Sequence, residues 1–137
     1  MNTTERTARY AAWVKGFAEP TPSDSEVDTF LADLDDIPVR DALLATITDP
    51  AWCVRVGGML NLIATQRVTA ASLTMEAACY YLADSLDVAQ VLLSSALDKD
   101  PTYSLALLLQ SGLDRGAPAT LLRASFAHYS PMYLLHG

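Results

Sequence analysis

The sequence predicts an all-α protein, a compact bundle of about seven to eight helices. Apolar residues recur at helical spacing along most of the chain, and prolines preceded by acidic residues separate these segments. Alternating polar and apolar segments are short and lack Asn-Gly or Asp-Gly hairpin turns, so we expect no strands. We expect one helical domain over residues 1–137, divided into an N-terminal helix (1–18), a loop (19–25), a helical core (26–129) and an apolar tail (130–137).

The first predicted helix spans residues 3–18, and its apolar face has the spacing i, i+3, i+4 and i+7. The residues on that face are Tyr10, Trp13, Val14 and Phe17. Two prolines in the segment EPTPSDS end this helix. Ser23 and Glu26 then have the spacing of a capping box, which predicts a second helix that runs to about Leu34.

Acidic residues next to prolines predict where the next two helices begin. Asp36 stands just before Pro38, and Asp49 directly precedes Pro50. The cluster formed by Asp36 with two neighbouring aspartates has a second interpretation, a divalent cation site, but helix capping explains it better. In the fourth helix, Gly57-Gly58 indicates either a close crossing by another helix or a kink.

The stretch Ala70–Tyr103 predicts two helices, at about 72–83 and 85–98. No lysine or arginine lies between Val68 and Leu97, so we expect both helices to have little free surface. The next helix, Thr102–Asp114, is apolar nearly all round, which predicts a central buried helix. Gly116 fits a left-handed C-terminal cap, and an eighth helix is expected from Pro118 to about Tyr129.

The same stretch, residues 70–103, resembles one helix-turn-helix unit of a tetratricopeptide repeat. Small residues stand where paired helices approach closely, larger residues where a groove is filled, and a proline closes the unit. These positions are Ala77, Ala89 and Ala96, then Tyr80 and Leu93, then Pro101. Leu73 and Glu76 depart from the repeat pattern, and Arg123 stands where a following unit needs a small residue.

A longer stretch, residues 37–118, resembles the C-terminal half of the domain of unknown function 4192 (DUF4192). The resemblance is carried by PVRDALLATITDP and by ACYYLADSLDVAQVLLSSALDKDPTYSLALLLQSGLDRGAP. In this chain Asp84-Ser85 replaces the Gly-Asp turn of the family pattern. The resemblance implies a source in actinobacteria or their bacteriophages, and it implies no biochemical activity.

Composition argues against several classes of partner. Hydrophobic residues make up 51% of the chain and charged residues 18%, so we expect apolar surface that is exposed or covered by a partner. The net charge of −7 is unfavourable for nucleic acid and for anionic membranes, and it favours a protein partner with a basic face. We find no membrane span and no secretory signal, and we therefore expect a cytoplasmic protein.

The residue types that catalysis and metal binding require are sparse. Cys53 and Cys79 lie in apolar helical pattern and are expected to be two buried thiols, because a disulfide is improbable in the cytoplasm. The two histidines, His128 and His136, stand near the C-terminus, with no zinc-ligand spacing around them. We therefore expect no enzyme, no catalytic residue, no cofactor and no metal site.

A non-catalytic protein-interaction module is the function that the sequence favours, in one form a phage-encoded modulator of a host protein. The alternative is a self-associating structural protein that buries its apolar excess in a homodimer, and a DNA-binding or enzymatic role is a distant third. Aromatic residues and the apolar tail are the candidate contacts. They are Trp13, Tyr80, Tyr81, Met132, Tyr133, Leu134 and Leu135.

Overall fold

The computed structural model describes residues 23–65 and 67–129, and these residues form seven α-helices and no strand. The predicted all-α fold class is therefore confirmed. The helices are α1 (Asp24–Asp33), α2 (Ile37–Thr46), α3 (Pro50–Ala64), α4 (Ala70–Leu82), α5 (Leu86–Lys99), α6 (Ser104–Asp114) and α7 (Ala119–Phe126). The predicted N-terminal helix at 3–18 and the tail at 130–137 lie outside the described residues.

The predicted start signals of α1 and α3 are confirmed. The Ser23 hydroxyl accepts a hydrogen bond from the Glu26 amide, and the Glu26 carboxylate accepts one from the Ser23 amide, which completes the capping box. The Asp49 carboxylate accepts from the amides of Ala51 and Trp52 at the start of α3. These hydrogen bonds satisfy amides that the first turn of a helix leaves without a backbone partner.

The central helix of the bundle is α4. Every residue from Ala71 to Cys79 is buried, and α3, α5, α6 and α7 all pack against this helix. The sequence placed the central helix at α6 instead, and that prediction is wrong because α6 buries Leu105, Ala106 and Leu109 but exposes leucines on its other side. Even Glu76 of α4 is buried, and this burial raises the pKa of its carboxyl group.

Helices α3 and α4 cross closely at a glycine. A Cβ built on Gly57 would lie 3.5 Å from the Cβ of Cys79. The α3 helix continues without interruption through Gly57 and Gly58 to Ala64. Gly57 therefore marks a close crossing, one of the two interpretations that the sequence left open, whereas Gly58 is exposed.

The α4–α5 hairpin packs through the small residues that the repeat-like pattern predicts. Ala77, Ala89 and Ala96 are fully buried, and Leu93 fills the space between the alanines of α5. The expectation that α5 has little free surface is wrong, because residues of its outer face such as Val91 are exposed. The missing lysines and arginines leave that face without basic side chains rather than covered, and the charged residues that it does carry, such as Asp87, are acidic.

Helices α4 and α6 end in the same hydrogen-bonded motif. After α4, the amide of Ser85 donates to the Tyr80 carbonyl, and Asp84 has a left-handed φ of 64°. After α6, the amide of Ala117 donates to the Gly112 carbonyl, and Gly116 has a φ of 70°. Both are Schellman motifs, in which glycine is the preferred left-handed residue. The predicted cap at Gly116 is confirmed.

The predicted start of α6 at Thr102 is wrong by two residues. The Asp100 carboxylate accepts hydrogen bonds from the amide and the hydroxyl of Thr102, so Pro101 lies in a turn. The helix begins after this turn, at Ser104. An aspartate followed by proline has thus formed a local side-chain turn here rather than a helix cap.

We expect that Ala89→Leu lowers the free energy of unfolding by about 1–3 kcal/mol, because the larger side chain overpacks the buried α4–α5 contact. Urea denaturation followed by circular dichroism measures the change. The matched control is Ser95→Leu, which adds a similar volume on the exposed side of α5. An unchanged midpoint for Ala89→Leu would contradict this placement.

We expect that Asp84→Gly raises the free energy of unfolding by about 0.5–1 kcal/mol, because glycine adopts the left-handed conformation without steric cost. The reverse change, Gly116→Ala, should lower the free energy of unfolding by about 1 kcal/mol. Backbone strain alone causes this loss, since an added Cβ meets no atom within 4 Å. Thermal unfolding of both variants tests the pair. A loss of stability in Asp84→Gly would show that the aspartate side chain stabilises this turn.

Candidate protein-interaction surface

An apolar groove lies between α6 and α7 and has a volume of about 150 Å³. We call it the α6–α7 groove. A cavity of this size accommodates one benzene-sized group. No acidic or basic side chain lines it. The lining residues are Tyr81, Leu108, Leu109, Gly112, Ala117, Leu121, Leu122, Ser125, Phe126 and Tyr129.

Two of the lining leucines are exposed to solvent. Leu108 of α6 is 62% exposed and Leu121 of α7 is 58% exposed. The groove floor is closed, because Leu109 and Phe126 are almost completely buried. Exposed leucines above a closed apolar floor form the kind of patch that marks contact sites for other proteins.

Tyr81 of α4 forms part of the floor and connects the two walls. Its hydroxyl donates a hydrogen bond to the Ala117 carbonyl in the turn between α6 and α7, with an O···O distance of 2.7 Å. A Cβ built on Gly112 would lie only 3.1 Å from this hydroxyl oxygen, so a residue without a side chain gives the tyrosine its space. Burial raises the pKa of Tyr81, which keeps the hydroxyl protonated as a donor.

Arg123 anchors α7 to the rest of the bundle. Its guanidinium donates to the Thr48 carbonyl at 3.2 Å and to the Leu82 carbonyl at 3.1 Å. Thr48 lies two residues beyond the end of α2, and Leu82 is the last residue of α4. The positive charge therefore lies at the C-terminal ends of two helices, where the backbone carbonyls are otherwise unsatisfied and the helix dipole is negative.

A second groove, with a volume of about 230 Å³, lies between α3 and α4. We call it the α3–α4 groove. Tyr80 lies at this groove rather than inside the hairpin, and Val54 at its edge is 77% exposed. The other lining residues are small or sulfur-containing, namely Cys53, Gly57, Gly58, Cys79 and Ala83.

The two cysteines are buried, free and in contact with each other. The Cys53 thiol donates to the Cys79 carbonyl, with an S···O distance of 3.4 Å. Hydrogen bonding between the two thiols lowers the pKa of Cys53, against the opposing effect of burial. The same hydrogen bond, together with burial, raises the pKa of Cys79. The prediction of two buried thiols is confirmed.

The sequence-predicted contact residues have different positions. Tyr80 is half-buried in the α3–α4 groove, whereas the Tyr81 side chain is buried and belongs to the core. Tyr81 is thus a correction to the sequence interpretation, since it supports the α6–α7 groove from below and does not project from the surface. The remaining candidates, Trp13, Met132, Tyr133, Leu134 and Leu135, lie outside the described residues.

Sequence reasoning missed Leu108 and Leu121 as surface residues. Helix α6 carries five leucines in eleven residues, more than one buried face requires, and such an excess is typical of a central helix. The excess equally fits a peripheral helix with an apolar outer side. The sequence pattern alone does not distinguish the two cases, because the distinction depends on which helix the neighbours surround.

The titratable residues of the described ranges form no group of three or more that could hold a metal ion. The carboxylate of Asp100 serves its own turn, and that of Asp49 caps α3. Asp36 stands at the N-cap of α2, but its side chain makes no capping hydrogen bond there. His128 is exposed just beyond the end of α7.

Comparison with known protein families identifies the chain by its sequence. The family model described as a domain of unknown function, DUF4192, matches residues 2–120. The chain therefore belongs to the DUF4192 family, and the match extends well beyond residues 37–118. Searches of curated proteins and of solved structures returned no match. Within residues 23–65 and 67–129, no helix is long and apolar enough to cross a membrane.

We expect that Arg123→Ala lowers the free energy of unfolding by about 2–3 kcal/mol, because two helix-end carbonyls lose a charged donor. Arg123→Lys should lower the free energy of unfolding by a smaller amount, since an ammonium group keeps the charge but lacks the planar fork that reaches both carbonyls. Urea denaturation measures both variants. The matched control, Arg115→Ala at an exposed position, should change stability by less than about 0.5 kcal/mol. Equal effects at positions 115 and 123 would contradict an anchoring role.

Proposed function

We propose that this chain is a non-catalytic protein-interaction module that binds an apolar segment of a partner protein in the α6–α7 groove. One observation carries the proposal: Leu108 and Leu121 are more than half exposed beside a groove with a closed apolar floor. Covering both leucines would contribute about 2–3 kcal/mol to binding. A contribution of that size is typical of the few residues that dominate an interface.

The groove supports a binding role better than a catalytic one. Its polar side chains are Tyr81, Ser125 and Tyr129, without an acidic or basic group beside them. The Tyr81 hydroxyl donates to a backbone carbonyl, and the Ser125 hydroxyl donates to the Leu121 carbonyl. A catalytic hydroxyl requires an adjacent base that accepts its proton, whereas these hydroxyls serve as structural donors.

The chemistry of the proposed partner follows from the groove and from the charge of the chain. A volume of about 150 Å³ fits one large apolar side chain, such as leucine or phenylalanine, as an anchor. The chain has a net charge of −7, so basic residues beside that anchor favour association. Residues 37–118 resemble proteins of actinobacteria and their phages, and we therefore propose an actinobacterial host protein as the partner.

A comparative pull-down from an actinobacterial lysate tests the proposal. Three immobilised proteins are compared: the wild type, the double variant Leu108→Asp/Leu121→Asp, and Val91→Asp. Val91 is 65% exposed on α5 and does not line the groove, so its variant is the matched control. We expect one protein that the wild type and Val91→Asp retain equally and that the double variant retains at least about tenfold less.

Two outcomes would overturn the proposal. If every captured protein binds the double variant and the wild type equally, the groove is not the contact site. If light scattering shows a wild-type dimer at micromolar concentration that the double variant converts to a monomer, the groove serves self-association instead. Circular dichroism of all three proteins establishes that they are equally folded.

A further inference from the structure

We propose that Cys53 and Cys79 are a thiol–disulfide exchange site, and that a low-molecular-weight disulfide oxidises them to an intramolecular disulfide between α3 and α4. The site lies in the α3–α4 groove, apart from the groove to which we assign partner binding. The two cysteines are separated by 26 residues in sequence, and only the helix crossing brings them together.

The helix crossing brings the Cys53 sulfur next to Cys79. The Cys53 Sγ lies 3.4 Å from the Cys79 carbonyl oxygen. One turn further along α3, a Cβ built on Gly57 would lie 3.5 Å from the Cβ of Cys79. Disulfide-bonded cysteines have Cβ atoms about 3.8 Å apart, so helix backbones that approach this closely are within reach of a cross-link. Cys53 lies one helical turn before Gly57 on the same side of α3, and its thiol contacts both the thiol and the carbonyl of Cys79.

The α3–α4 groove opens beside the two cysteines, which are themselves largely buried. Both cysteines line it, and the neighbouring residues Gly57, Gly58 and Ala83 leave room beside them. A volume of about 230 Å³ accommodates a small disulfide. Cys53 is the attacking thiol, because its contact with Cys79 and the nearby charge of Arg123 favour its thiolate.

The exchange proceeds in two balanced steps. The Cys53 thiolate attacks one sulfur of the small disulfide, a mixed disulfide forms, and the first small thiolate leaves. Cys79 then loses its proton to solvent and attacks the Cys53 sulfur, which releases the second small thiolate. The two protein thiols are thereby oxidised by two electrons, and the small disulfide is reduced to two thiols, which take up the two protons.

Equilibration with 2-mercaptoethanol and bis(2-hydroxyethyl) disulfide at varied ratios tests the proposal. The reaction is quenched with acid, and free thiols are then alkylated with N-ethylmaleimide. The mass of the intact protein shows whether it carries two alkylated thiols or a disulfide, which is not alkylated and has lost two hydrogens. The same titration in urea supplies the reference for the unfolded chain. We expect the folded chain to form the disulfide on the order of a hundredfold more favourably than the unfolded chain, because a cross-link that fits the fold stabilises it by that factor.

The single variants identify the attacking thiol. Cys79→Ser should form a mixed disulfide at Cys53 faster than Cys53→Ser forms one at Cys79, because Cys53 keeps the nearby charge of Arg123 and Cys79 is the more deeply buried thiol. A folded wild type that forms the disulfide no more favourably than the unfolded chain would overturn the proposal. A covalent dimer or a stable mixed disulfide as the main wild-type product would overturn it as well.

Discussion

The close packing of small side chains around α4 is the constraint on which the rest of the structure depends. Helices α3, α5, α6 and α7 contact α4. Small residues occupy two of these crossings, Gly57 at the crossing with α3 and Ala77, Ala89 and Ala96 at the contact with α5. A larger residue at these positions would separate the helix axes and open the core. Since every residue of α4 from Ala71 to Cys79 is buried, this burial is complete only when the neighbouring helices are in place, which makes the packing of those helices mutually dependent.

Features encoded by neighbouring residues could be predicted from the sequence. The capping box at Ser23, the cap at Asp49 and the left-handed Gly116 involve residues only a few positions apart, so local patterns determine them. Asp100-Pro101 has the same appearance as Asp49-Pro50 yet forms a turn, because the Thr102 side chain offers the carboxylate a second donor. The Asp100 carboxylate could cap a helix that starts at Pro101 or form a turn with Thr102, and the sequence does not show which of the two is more stable.

Features that depend on tertiary neighbours could not be predicted in this way. The α6–α7 groove depends on which side of α6 the bundle leaves open, and apolar content alone does not report that side. The thiol pair depends on the crossing of α3 and α4, which joins residues 26 positions apart. Arg123 stands where the repeat pattern has a small residue, and it contacts the ends of α2 and α4. The pattern of one repeat unit describes only the two helices of that unit, so it does not predict these contacts.

The attachment of α7 has a dynamic consequence for the groove beside it. Among the eight residues of α7 only Phe126 is buried, and Arg123 supplies its hydrogen bonds to the ends of α2 and α4. Because local stability follows the number of buried contacts, we expect α7 to open at a lower free energy than α4. We therefore expect the α7 wall of the α6–α7 groove to move more easily than the α6 wall, which would let the groove accept side chains of different width.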